Sequence, residues 1–169
     1  MKRLAWLTLC FLSLALCARP AAAQTNANLG FDKIKTLAGE WAGKTGDGKP
    51  VQVSYQVVSS GTAVLETLHP PDEQEMVTLY TADGDRVAVT HYCSANNQPR
   101  MRTAPITASP QKLDFGFVGA TNLATPAAGH MHRLVVTLDD ADHFSQSWTW
   151  RENGKDKSDT FRFTRKKSS

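Results

Sequence analysis

The sequence predicts an all-β protein, a single antiparallel up-and-down β-barrel of about ten strands with a short N-terminal helix. Three observations lead to this prediction. Short runs alternate apolar and polar side chains, which is the period of a strand with one buried face. Glycine, asparagine and aspartate separate these runs at short intervals. No segment after residue 37 carries apolar residues at helical spacing over the length of a helix.

The short helix is expected at residues 31–37. Phe31, Ile34 and Leu37 recur there at three-residue spacing, so they would share one helical face. The polar segment before it, residues 24–30, is expected to be a flexible leader. We therefore assign residues 31–167 to one barrel domain.

The strands follow in order along the rest of the chain. Val51 and Val53 alternate with Gln52 and Ser54, as expected of a strand between core and solvent. The predicted strands cover residues 41–44, 51–57, 64–68, 76–80, 87–91, 100–102, 112–117, 130–138, 143–150 and 158–165. Residues that tolerate tight turns stand between them at 46–48, 60–61, 83–84 and 153–154. Longer connections are expected near residues 94–99 and 119–129.

The first 23 residues have the pattern of a signal peptide. Lys2 and Arg3 precede an apolar run over residues 4–17, and Ala21-Ala22-Ala23 supplies small residues for a signal peptidase. The run is shorter than the roughly 20 residues of a membrane-spanning helix. We therefore expect cleavage near Ala23 and a periplasmic or secreted protein with no transmembrane segment. Lipoprotein processing at Cys17 is the alternative, although the residue before that cysteine is bulky.

The charge of the remaining chain is balanced. Of 19 Lys and Arg residues, three lie in the signal, which leaves 16 against 16 acidic residues. A neutral domain argues against nucleic acid as a partner, because nucleic-acid binding needs a surplus of basic residues. After cleavage Cys93 is the only cysteine, so the chain cannot close an intramolecular disulfide.

The segment Leu37-Ala38-Gly39-Glu40-Trp41-Ala42-Gly43 resembles the start of a lipocalin-like, or calycin, barrel. A Gly-x-Trp motif enters the first strand beneath a short helix in that family, and the Gly-x-Trp-x-Gly form is similar to nitrobindin-like barrels. The chain also resembles a bacterial family of exported proteins of unknown function. The segments that carry this second resemblance are residues 90–93, 97–102, 120–123 and 130–132.

The resemblance implies a tryptophan packed across the closed end of the barrel and a cavity for a small molecule. Nitrobindin-like proteins hold haem through a histidine on a late strand. Here the last predicted strand, 158–165, has no histidine, and His143 and His130 lie one and two strands earlier. The resemblance therefore favours a small-molecule cavity over haem, and we expect no cofactor.

Five residues are candidates for binding a ligand in such a cavity. His91 shares a strand face with apolar side chains, so it is predicted to be either a polar group within an apolar cavity or a core histidine whose hydrogen bonds are satisfied. Trp148 and Trp150 share one face and would form core or cavity wall. Arg100 and Arg102 also share a face, where they would either bind a carboxylate or phosphate or lie on the solvated outside of the barrel.

His130 and His132 are candidate metal ligands. Residues two apart on a strand project to the same face, and a third ligand such as His91 or His143 could complete a divalent-metal site. The alternative is a pair of polar histidines at the rim of the barrel. Glu66 alternates with apolar residues on the same face, so we expect it to be buried in an ion pair, for example with an arginine.

No enzyme motif accompanies these residues: the chain contains no Gly-x-Ser-x-Gly, His-Glu-x-x-His or Gly-x-Gly-x-x-Gly. We therefore expect an exported barrel that binds a small apolar or amphipathic molecule rather than an enzyme. One alternative is a metal- or haem-dependent redox protein that uses the strand histidines. Another is an interaction module whose barrel is filled by its own side chains. The sequence leaves the ligand and the oligomeric state open.

Overall fold

Ten antiparallel strands form a closed barrel in the computed structural model, which describes residues 28–167. Each strand pairs with the next one along the chain, and β1 also pairs with β10, where Trp41 lies opposite Arg165. The strands are β1 Gly39–Lys44, β2 Pro50–Val58, β3 Ala63–His69, β4 Met76–Asp83, β5 Arg86–Tyr92, β6 Gln98–Arg102, β7 Lys112–Thr121, β8 His130–Leu138, β9 His143–Glu152 and β10 Lys155–Arg165. The predicted fold class is confirmed. The predicted signal peptide lies outside the described residues.

The helix α1, Leu29–Lys35, begins two residues earlier than predicted. The reason is Asn28, whose side chain accepts a hydrogen bond from the Phe31 backbone N–H at 2.9 Å and so caps the helix. The Asn28 amide also donates to the carbonyl oxygens of Gly84 and Arg86, at 2.8 and 2.7 Å. These bonds attach the start of the helix to the turn between β4 and β5.

One end of the barrel is closed by α1 and by Trp41. The Trp41 indole is fully buried and donates to the Leu37 carbonyl oxygen at 2.8 Å. The Arg165 guanidinium lies 4.0 Å from the centre of the Trp41 ring and donates to the carbonyl oxygens of Thr36 and Ala38, both at 2.9 Å. A tryptophan therefore packs across the closed end, as the resemblance implied.

The core follows the strand alternation. Leu113, Phe115, Leu134 and Val136 are almost completely buried, whereas Asp114 between the first two is exposed. Aromatic rings fill the part of the barrel next to Trp41, where Phe144 makes an edge contact with Trp41 and stacks on Phe163. The packed interior therefore lies at the helix end.

The longer connections differ in part from the prediction. β7 continues to Thr121, which shortens the following loop to residues 122–129, and β6 begins at Gln98. A further long connection, residues 103–111, follows β6 and was not predicted. It is held by Thr103, which is buried and whose hydroxyl oxygen accepts from the Val87 N–H at 3.0 Å. A backbone bond from Ile106 N–H to the Asp85 carbonyl fixes the same segment.

Candidate functional site

A cavity of about 850 Å³ lies at the end of the barrel opposite α1. Its lower wall is made by buried side chains of the strands, namely Leu68, Met76, His91 and Trp148. Its mouth is formed by the connections after β1, β3 and β5 and by the adjoining parts of β9 and β10. The barrel is thus filled at the helix end and hollow at the other.

Trp150 contributes the aromatic wall nearer the mouth. The backbone of Gly129 lies directly against its indole ring: a Cβ atom at position 129 would come within 2.1 Å of the ring. Asn97 fixes this backbone, because its amide donates to the Gly129 carbonyl oxygen at 2.9 Å. A larger residue at position 129 would therefore have to displace the Trp150 ring.

A buried polar network lies between the cavity and the aromatic core. Glu66 is completely buried, and its Oε2 accepts from the Tyr80 hydroxyl at 2.7 Å and from Gln146 Nε2 at 2.6 Å. Gln146 Nε2 also donates to the Tyr55 hydroxyl at 2.7 Å. The Thr78 hydroxyl donates to Glu66 Oε1 at 3.2 Å. Burial raises the pKa of the Glu66 carboxyl, although these hydrogen bonds act in the opposite direction.

The expected ion pair of Glu66 is thus corrected. Its partners are two hydroxyl groups and an amide instead of an arginine. Arg100 and Arg102 cannot supply a partner, because they occupy outward positions on β6 while Met101 between them faces the core. Neutral donors satisfy a buried carboxylate without bringing a second charge into the interior.

His91 joins this network to the cavity. Its Nδ1 lies 2.9 Å from the Thr78 hydroxyl oxygen. Since Thr78 uses its single hydrogen toward Glu66, its oxygen accepts from Nδ1–H of His91, and the neutral imidazole then carries a lone pair on Nε2. The His91 side chain is 1% exposed, and Nε2 has no hydrogen-bond partner within residues 28–167.

Burial lowers the pKa of His91 to about 4. The imidazole is therefore neutral at pH 7. Its ring also lies against Trp148, with ring centres 4.6 Å apart, and the Trp148 N–H is used by Gln146 Oε1 at 3.1 Å. Nε2 of His91 is consequently a fixed, neutral acceptor, buried among the apolar side chains at the deep end of the cavity.

The predicted ligand-binding residues separate into two groups. His91, Trp148 and Trp150 are brought together as neighbouring parts of the cavity wall. Arg100 and Arg102 are exposed on the outer face of β6, and Arg102 donates to Asp83 Oδ2 at 3.0 Å. The two arginines therefore take the outer-face alternative and do not contact this cavity.

His130 and His132 lie apart from the cavity, because the register of β8 shifts between Met131 and Arg133. Met131 lines the cavity instead. His130 Nδ1 donates to the Ala128 carbonyl oxygen at 2.8 Å, so its Nε2 accepts from His132 Nδ1–H at 3.1 Å.

His132 Nε2 in turn accepts from Arg151 at 2.6 Å. All four ring nitrogens of the histidine pair are thus engaged, and burial together with the Arg151 charge lowers the pKa of His132. Within residues 28–167 no three side chains of the His, Cys, Asp or Glu type come together as a metal-ligand set. His91 and His143, the proposed third ligands, lie elsewhere: His91 in the cavity and His143 beside Asp140 at the surface.

Several cavity residues escaped the sequence analysis. Met131 was not predicted to line the cavity, because its position depends on the register shift in β8 and no sequence pattern indicates that shift. The charged residues at the mouth lie in turns or on exposed strand positions, where a charged side chain is ordinary and indicates no function by itself. The Glu66 network had a signal: Thr78, Tyr80 and Gln146 each alternate with outward residues on strands whose same-face neighbours are apolar.

No protein-family model matches the chain, and no curated protein matches it. Solved structures do resemble it. The crystal structure of Rv2717c from M. tuberculosis aligns with a TM-score of 0.57 at 12% identity, over 81% of this chain and 97% of that one. A protein of unknown function from the DUF3598 family of Nostoc punctiforme aligns with a TM-score of 0.44 at 13% identity, over 79% of this chain and 49% of that one. The first likeness concerns the fold alone, and it fits a lipocalin-like barrel in coarse terms.

Proposed function

We propose that this protein is an exported, lipocalin-like barrel that binds a small amphipathic molecule in the cavity at its hollow end. The observation that carries this proposal is His91, a residue of the cavity wall whose Nε2 is a buried acceptor without a partner within residues 28–167. An unsatisfied buried polar atom costs about 1–3 kcal/mol, so a fold selected for stability alone would place an apolar side chain there. A ligand that donates a hydrogen bond to Nε2 would remove this cost.

The shape of the cavity supports a ligand with an apolar body. Leu68, Met76, Trp148 and Trp150 offer hydrocarbon and aromatic surface, while one polar atom stands at the bottom. Small-molecule sites are commonly built in this way, with apolar walls and few polar groups that fix orientation. The proposed ligand class is therefore an apolar body with a hydroxyl or N–H group at the end that enters first.

The proposal is tested with two probes that differ in one donor. We expect 4-hexylphenol to bind the wild-type protein in calorimetric titration, and 4-hexylanisole, in which a methyl group replaces the hydroxyl hydrogen, to bind about tenfold more weakly. His91→Leu should abolish this difference while leaving the unfolding temperature unchanged or higher, because it removes an unsatisfied group.

The matched control is His143→Leu, which makes the same substitution at an exposed histidine outside the cavity. It should preserve the preference for the phenol. The proposal fails if neither probe binds the wild-type protein and His91→Leu lowers the unfolding temperature by several degrees, since His91 would then be a structural residue.

Export is the second part of the proposal. It is supported by the charged, apolar and small-residue segments of the first 23 residues. Within residues 28–167 no helix has the length and apolar character needed to cross a membrane. The nitrobindin-like and bacterial exported-family resemblances also belong to this proposal.

A further inference from the structure

The mouth of the cavity carries an excess of negative charge. Among the described residues that line the cavity, four are acidic and one is basic. The acidic residues are Asp47, Glu73, Glu152 and Asp159, and the basic residue is Lys157. All five are exposed: Asp47 and Glu73 lie in turns, Glu152 ends β9, and Lys157 and Asp159 lie on β10. They therefore lie near any group that protrudes from the opening. The whole domain is balanced in charge, which makes this local excess a property of the mouth.

We infer that the ligand is an organic cation: an amphipathic amine whose apolar body lies in the cavity and whose protonated nitrogen remains at the mouth. This inference rests on the proposed function and adds the charge of the ligand to it. Two observations carry it together. The deep end offers a neutral acceptor, His91 Nε2, and the open end offers carboxylates. A molecule with a donor at one end and a positive charge at the other matches both.

The aromatic wall supports the same choice. Trp150 is half-buried near the mouth, and its ring is held in place by Gly129. The face of an indole attracts a cation placed over it, and tryptophan is the most favourable of the aromatic side chains for this contact. An anionic head would meet the carboxylates and the negative face of the ring, and both would repel it.

Two of the carboxylates at the mouth already accept hydrogen bonds from neighbouring residues. Asp159 accepts from the Gly46 N–H at 3.2 Å and from the Thr160 N–H at 2.7 Å, and Asp47 accepts from the Thr45 hydroxyl. Glu73 accepts only from the exposed Ser94 hydroxyl, at 3.2 Å. Glu152 is exposed at the end of β9. Glu73 and Glu152 are therefore the positions at which charge can be removed with the least effect on the surrounding structure.

The test uses three probes with one body: 4-hexylphenol, the same molecule with an amine at the end of the chain, and the same molecule with a carboxylic acid there. At low ionic strength and pH 7 we expect the amine to bind about tenfold more tightly than the acid, with the neutral probe between them. In about 0.5 M salt this ratio should shrink to about two, because the mouth is exposed and screening acts on it.

The double variant Glu73→Gln/Glu152→Gln should lower the amine-to-acid ratio at low salt by about threefold or more and leave the affinity of the neutral probe unchanged. Glu40→Gln is the matched control, since it removes a carboxylate at the closed end, where Glu40 pairs with Lys166. It should leave the ratio as in the wild type. The fall of the amine-to-acid ratio in salt tests the same electrostatic preference in the wild-type protein, without any variant.

The outcomes separate the two proposals. If the neutral probe binds through His91 but the amine binds no more tightly than the acid, the inference of a cationic ligand is wrong and the proposed function stands. If none of the three probes binds, both fall. A ratio that favours the amine, falls with salt and falls in the Glu73→Gln/Glu152→Gln variant establishes the inference.

Discussion

At the scale of single residues, His91 should link the stability of the fold to pH. Burial lowers its pKa to about 4 from an ordinary value of 6.5. The unfolded chain therefore takes up a proton as the pH falls below about 6.5, while the folded chain does not until about 4. The contribution of neutral His91 to the free energy of unfolding is therefore at its full value at pH 7. It falls by about 3 kcal/mol in total as the pH drops from about 6.5 to about 4.

The measurement is urea unfolding of the wild type and of His91→Leu at pH 7 and pH 4. We expect the wild type to lose about 3 kcal/mol more than the variant between these two pH values. Glu66 acts in the opposite direction, because its raised pKa makes the folded chain bind a proton first, but it is present in both proteins. Equal losses in the two proteins would show that His91 titrates normally in the fold.

At the scale of elements, the closed end depends on one arginine. Arg165 on β10 stacks on Trp41 and donates to carbonyl oxygens on both sides of Leu37, in the segment between α1 and β1. Lysine cannot reproduce this planar, forked set of donors. We expect Arg165→Lys to lower the free energy of unfolding in urea by about 1–3 kcal/mol. Arg162→Lys, on an exposed position of the same strand, should change it by less than about 0.5 kcal/mol.

Whether the sequence predicts an element depends on whether local or long-range interactions determine that element. The strands depend on a two-residue period that can be read directly, as at Val51 and Val53. The start of α1 depends on a cap whose partners lie 56 and 58 residues further along the chain. The register shift near His132 depends on how β8 pairs with β9, so the alternation of β8 alone could not predict that Met131 lines the cavity. Local period is visible in sequence, but long-range register is not.

At the scale of the whole molecule, the candidate site exists because the ten strands close into a barrel. His91 on β5 and Trp148 on β9 are far apart in sequence, and they meet because ten strands close into a barrel filled at one end. Alternation predicted that both face inward. It could not predict that donors from two other strands, β4 and β9, would satisfy Glu66 and leave His91 Nε2 without a partner within residues 28–167, because that outcome depends on side-chain distances across the barrel.

The whole molecule should also keep its fold when the predicted signal is removed. Asn28, the helix cap, is the first described residue, so cleavage after Ala23 leaves every described element intact. We expect mass analysis of the exported protein to give an N-terminus at Gln24. Protein expressed from Gln24 onward should give the same β-dominated circular dichroism, with helix far below the third that is ordinary for globular proteins, since α1 has only seven residues. An acylated Cys17 at the N-terminus would instead show a lipid-anchored protein, with the same barrel held at a membrane surface.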